Sequence, residues 1–105
     1  MNKVILLGRF TQAPQKKYIS GQKVVNFTLA VRRKIQQKGQ NEADFISCEA
    51  WSYTADFICD NFCKGDKIAI VGELRVGSYE KDRKKVYTTK VVVDEAYFTA
   101  NKIGR

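Results

Sequence analysis

The stretch Asp44-Phe45-Ile46-Ser47-Cys48-Glu49-Ala50-Trp51, followed after two residues by Thr54 to Lys64 and then Gly65, decides the fold. Its first part alternates with a period of two, so it predicts a strand with Ile46, Cys48 and Ala50 on the core side. Ala55, Ile58, Cys59 and Phe62 then recur at i, i+3, i+4, i+7, which predicts a helix over 54–64 with Gly65 as its C-terminal cap. Period two resumes at Lys67.

Outward from that segment the chain is mostly strand. Lys3 to Phe10 reads as a first strand, Ala13-Pro14-Gln15 interrupts it, and a short extended piece over 16–19 ends in the turn Ser20-Gly21-Gln22. Val24 to Arg33 alternates with Val25, Phe27, Leu29 and Val31 on one face, and the polar segment 35–43 is a loop. After the helix come strands over 67–79 and 86–98, joined by the charged tip Glu80 to Lys85. Five main strands with the one substantial helix between the third and fourth are the order of the five-stranded Greek-key barrel called the OB-fold, an all-β class. Gly8, Gly72 and Gly77 lie inside strand patterns, where a closed barrel needs bends or bulges.

A chain of 105 residues, 44% hydrophobic and 29% charged, is one globular domain that folds without staples or a structural metal. Histidine is absent, so His-based nucleophilic catalysis and His-zinc chemistry are excluded. The three cysteines, Cys48, Cys59 and Cys63, form no C-x-x-C pair and read as small buried hydrophobes in a reducing, cytoplasmic setting. Cys59 and Cys63, one helical turn apart, lack two further metal ligands. The apolar run Val4 to Leu7 is too short for a signal peptide or a membrane span, so no membrane partner is expected.

The formal charge is +8, and it is unevenly placed. Residues 1–41 hold nine basic side chains and no acid, whereas residues 42–105 sum to −1. So long a segment without its own counter-ions favours a polyanionic partner, and Arg32, Arg33 and Lys34 are its densest cluster. Two strands also break the burial pattern. Opposite Ile46, Cys48 and Ala50 stand Phe45, Ser47, Glu49 and Trp51. In the next strand Ile68, Ile70, Leu74 and Val76 alternate inward, leaving Glu73, Arg75 and Tyr79 outside. Aromatic rings among cations on an outer sheet face suit single-stranded nucleic acid, whose bases stack and whose phosphates need positive charge. The competing reading packs Phe45, Trp51 and Tyr79 under loops or against another subunit. Phe27 and Phe62 point inward, and Tyr18 and Tyr87 are left open by phase. The acids Asp44, Glu49, Asp94 and Glu95 have no base or nucleophile beside them and read as solvated strand-end charges.

Several segments, in order and at matching spacing, resemble the bacterial single-stranded DNA-binding protein family: Met1 to Phe10, Asn26 to Val31, Ala43 to Ile46, Lys64-Gly65-Asp66 and Tyr87 to Val93. The resemblance implies an OB-fold that assembles as a homotetramer, with a dimer as the alternative, and that covers single-stranded DNA during replication, recombination and repair without catalysis or cofactors. The family's stacking aromatics fall at Phe45, Trp51 and Tyr79, and its basic positions at Lys3, Lys17, Lys64 and Arg75. Ile35 stands where well-studied members carry a further stacking ring. This sequence ends at Lys102-Ile103-Gly104-Arg105 without the family's flexible acidic tail, so replication and repair partners are expected only of a chain that carries one. Two other classes remain: an RNA-preferring or primosome-type OB-fold protein, since stacking does not read the 2′-hydroxyl, and a metal-dependent nuclease on the same barrel.

Overall fold

The computed structural model describes residues 1–34 and 42–99. Ile35, Lys38 and the C-terminal Lys102 to Arg105 lie outside the described residues. The elements run β1 (Val4–Phe10), β2 (Lys16–Ile19), β3 (Gln22–Arg32), β4 (Ala43–Trp51), α1 (Ser52–Asn61), β5 (Lys67–Lys81) and β6 (Lys84–Tyr97). β1 pairs with β5, β5 with β6, β6 with β4, β4 with β3, and β3 returns to β1, so five strands close a ring. All these pairs are antiparallel except β4 and β6, which run parallel through Cys48 opposite Val91 and Glu49 opposite Val92. This is the OB-fold barrel with its helix between the third and fourth barrel strands. The short β2 adds a hairpin to β3 through Ser20 and Gly21, both at positive φ.

Alternating residues fill the barrel: Val25, Phe27 and Leu29 from β3, Cys48 and Ala50 from β4, Ile68 and Ile70 from β5, Val91 and Val93 from β6. Ala55 and Ile58 of α1 join this core. Phe10 meets Phe27 and Phe62 at ring-centroid distances of 5.1 and 5.5 Å, and Phe62 stacks on Phe98 at 5.3 Å, so an aromatic cluster closes the helix end of the barrel.

The helix stops three residues short of the predicted end. Phe62 takes an extended backbone as the C-cap, which carries its ring into the core, and Asn61 donates to the Phe57 carbonyl. Gly65 is therefore not the helix cap. It serves the next turn, at φ +87°, and its N–H donates to the Phe10 carbonyl at 2.9 Å. Asp66 fixes the same turn, its carboxylate accepting the Cys63 N–H at 2.7 Å.

A larger departure lies in β5. Alternation predicts Leu74 and Val76 on the inner face, yet both are exposed, Val76 at 65%. The register between β5 and β6 shifts between Val71 and Gly72. A Cβ on Gly72 would sit 2.3 Å from the Val92 carbonyl oxygen, so only glycine permits this approach of the two backbones. Past Leu74 and Val91, β5 and β6 leave the barrel as a two-stranded arm ending in a tight turn at Asp82 and Arg83. Gly77 lies in that arm and bends no barrel wall. Asn2 extends the pairing of β1 along the arm, donating to and accepting from the Leu74 backbone at 2.9 and 2.8 Å.

The cysteines divide. Cys48 is buried, and desolvation pushes its thiol up to about 12. Cys59 is half-buried and raised for the same reason, with Lys16 working the other way. Cys63 is exposed and follows the helix, so the expectation of a buried packing residue fails there. With a thiol reagent at about pH 8, Cys63 should react first and Cys48 only on unfolding. Equal rates for all three in the native protein would contradict this packing.

Candidate nucleic-acid interface

Residues opposite one another in a sheet point to the same side, so the register defines the faces. Across β3 and β4 the pairs Asn26–Glu49, Thr28–Ser47, Ala30–Phe45 and Val24–Trp51 share the outer face, and Lys17 of β2 opposes Val24. Across β5 and β6, Glu73 opposes Val92, Arg75 opposes Lys90, and Tyr79 opposes Val86. Because Glu49 pairs with Val92, one surface runs from Lys17 and Trp51 through Glu49 and Lys90 to Arg75 and out to Tyr79.

Phe45 stands on this surface with 70% of its area exposed, and Trp51, the last residue of β4, is half-buried. A groove of about 580 Å³, of mixed polar and apolar lining, runs past Phe45, Ser47, Asn26, Thr28, Lys90 and the 11–13 segment. Tyr79 has the same parity but sits on the arm, four residues or about 13 Å beyond Arg75 along the strand. The structure thus brings Phe45 and Trp51 onto one barrel wall and leaves Tyr79 at a distance from it.

The cations sort differently from their sequence clustering. Arg33 is engaged by two acids, its Nη1 2.9 Å from Glu42 and its Nε 3.0 Å from Asp44. Both carboxylates hold its guanidinium above its usual range, the Asp44 hydrogen bond most strongly. Lys16 and Lys23 share Asp56 of α1, each at 2.8 Å, which ties the β2–β3 hairpin to the helix. The basic N-terminal half therefore does find counter-ions, in later elements that fold back on it. Arg75 is held by Glu73, with Nε 2.9 Å from Oε1. Among the described residues no carboxylate lies within ion-pair distance of Lys3, Lys17, Arg32, Lys34 or Lys64. Lys17 and Arg32 belong by register to the Phe45–Trp51 side. Lys3 and Lys64 stand near opposite ends of β1, Lys64 in the turn bonded to Phe10, so these two do not converge.

Sequence reasoning missed three cations. Lys90 reaches Glu49 at 2.8 Å, a contact that exists only because β4 and β6 run side by side. Arg9 and Lys67 oppose each other across β1 and β5 and line, with Arg32, a second groove of about 720 Å³ where β1 meets β3. No periodicity in one strand could signal either site, since each is assembled by barrel closure.

Of the four carboxylates expected to be solvated, Asp94 and Glu95 are exposed and Asp44 keeps about half its side chain in solvent, whereas Glu49 is largely covered. Asp44 is bound to Arg33, Glu95 accepts from the Tyr97 hydroxyl, and Glu49 accepts from both Lys90 and the Trp51 indole Nε1, the latter at 2.6 Å. Partial burial opposes ionisation of Glu49, but hydrogen bonds from Lys90 and Trp51 and the charges of Lys90 and Arg75 outweigh it and keep the carboxyl below its ordinary range. Among the described residues no three His, Cys, Asp or Glu side chains cluster as metal ligands would. No helix among them is long and apolar enough to cross a membrane.

The model of the single-strand binding protein family matches residues 1–99. The chain is 42% identical over 101 residues to single-stranded DNA-binding protein 2 of Clostridium acetobutylicum, covering 93% of this chain and 76% of that relative. It is 45% identical over 101 residues to the single-stranded DNA-binding protein of Clostridium perfringens, with 93% and 65% covered, and 39% identical over 107 residues to that of Bacillus cereus, with 99% and 63% covered. Against these last two the chain spans just under two thirds of the relative's length. The chain belongs to the single-strand binding protein family.

Proposed function

We propose that this chain binds single-stranded DNA without sequence preference and covers it during replication, recombination and repair, as a binding protein and not an enzyme. The observation that carries this reading is a highly exposed Phe45 and a half-buried Trp51 on one barrel wall, about 20 Å apart along β4, with Arg32 toward the first and Lys17 toward the second. Rings of this kind stack bases of any sequence, and the cations follow the phosphates. The names of the relatives and the family match support the same ligand. Tyr79 extends the path along the arm, and Lys3 and Lys64 meet the strand only where it wraps beyond this wall. Of the four carboxylates a nuclease reading would call on, Asp44 and Glu49 are already engaged by cations.

A titration with oligo(dT) tests the path. Phe45→Ala and Trp51→Ala should each weaken binding by about 1–3 kcal/mol while the variants stay folded. Lys17→Ala and Arg32→Ala should each flatten the salt dependence by about 0.7 for every phosphate they cease to neutralise. Arg33→Ala should leave that slope unchanged, because its guanidinium is already neutralised by Glu42 and Asp44. Wild-type affinity in both aromatic variants would overturn the reading.

The partner on the remaining surface is a further copy of this chain. Ile5, 74% exposed, and Leu7 form an apolar stripe on the outer side of β1, and Leu74, Val76 and Tyr87 are uncovered on the arm. Two separate apolar surfaces suit a homotetramer, which needs two kinds of contact, better than a dimer, which needs one. Sedimentation velocity should give the mass of four chains, and Ile5→Glu with Leu7→Glu should reduce it. A wild-type protein sedimenting as one chain would contradict the assembly.

A further inference from the structure

Glu49 is a misfit on a surface meant for polyanions. It lies at the centre of the Trp51–Lys90–Arg75 face, where a free carboxylate would repel phosphates. Its side chain is only 13% exposed, and its two oxygens are separately engaged, Oε2 by the Trp51 indole and Oε1 by Lys90. We propose that Glu49 is a positioning residue that fixes the Trp51 ring in its binding orientation before nucleic acid arrives, with Lys90 holding the carboxylate in place. This rests on the reading of Trp51 as a stacking ring.

The geometry supplies the means. Glu49 and Trp51 are two apart on β4 and project from the same face, so a carboxylate reaches the indole edge and leaves the ring's faces untouched by the bond. Lys90 comes from the parallel neighbour β6 and anchors the carboxylate from the other side. Arg75 adds positive charge across β5 and β6, and its own partner Glu73 leaves the Glu49 oxygens to Trp51 and Lys90. A charge-assisted bond to an indole N–H in a half-buried site removes rotamer freedom that binding would otherwise have to freeze. The negative charge is offset locally by Lys90, so orientation is gained with little repulsion. The lowered pKa of Glu49, held down against partial burial by Lys90 and Trp51, agrees with a carboxylate that stays charged at neutral pH.

The test separates the bond from the charge. Glu49→Gln removes the charge and keeps an acceptor, whereas Glu49→Val removes both and suits a strand. Glu49→Thr, also a strand former, repeats the second case should the valine variant fold poorly. In the free protein, hydrogen exchange at the Trp51 indole N–H should rise about tenfold in Glu49→Val and stay near wild type in Glu49→Gln. Labelled oligo(dT) should bind Glu49→Val about two- to tenfold more weakly than Glu49→Gln, and the difference should vanish in a Trp51→Phe background. Equal exchange and equal affinity in the two variants would overturn the proposal. An intact indole bond alongside unchanged affinity in Trp51→Ala would instead refute the stacking role of Trp51 and leave the Glu49 contact standing.

Discussion

The close approach of β5 to β6 at Gly72 is the constraint on which the rest depends. Before it, β5 is a barrel strand, with Ile68 and Ile70 fully buried and its backbone paired to β1. Two residues after it, past Leu74 and its partner Val91, the same strand leaves the core and carries β6 along as an arm. The 2.3 Å that would separate a Cβ from the Val92 carbonyl oxygen shows how little room the crossing allows. Just past the bulge β6 stays paired to β5 through Val92 and Val91 on one side and lies parallel to β4 through Cys48 and Glu49 on the other. Closure of the barrel and assembly of the binding wall are thus one event, because Lys90 meets Glu49 only where those two strands run together.

Much of this is legible from local pattern. Element order and the parity of Phe45 and Trp51 follow from period-two alternation, which a half-buried strand enforces. The same rule misplaces Leu74 and Val76, because alternation only states which residues share a face. It cannot say that the strand has left the core, and a one-residue bulge is silent in the hydrophobic pattern. Pattern also misplaces the helix end, because Gly65 suits a C-cap by type, whereas burial of Phe62 ends the helix earlier. Cys63 reaches the surface for the same reason.

The charges are least legible, since their partners are distant in sequence. The acid-free first 41 residues look uniformly basic, yet Asp56, Glu42 and Asp44 claim Lys16, Lys23 and Arg33 once the chain folds. Exposed pairs of this kind add little stability. Their effect is to select which cations stay available, removing Arg33 from the Arg32-Arg33-Lys34 run and leaving Lys17, Arg32 and Lys34 with no carboxylate at ion-pair distance among the described residues. Arg9 and Lys67 extend the electrostatic path toward the β1–β3 seam.

On the proposed reading one barrel wall, and not the helix or the apolar outer side of β1, receives the DNA. Ultraviolet cross-linking of oligo(dT) to the native protein, with the adducts located by mass spectrometry, tests this most directly. Adducts should form at Phe45 and Trp51, with Tyr79 added as the oligonucleotide lengthens. Adducts concentrated at Tyr53 or Tyr97 beside α1, with none at Phe45 or Trp51, would contradict it.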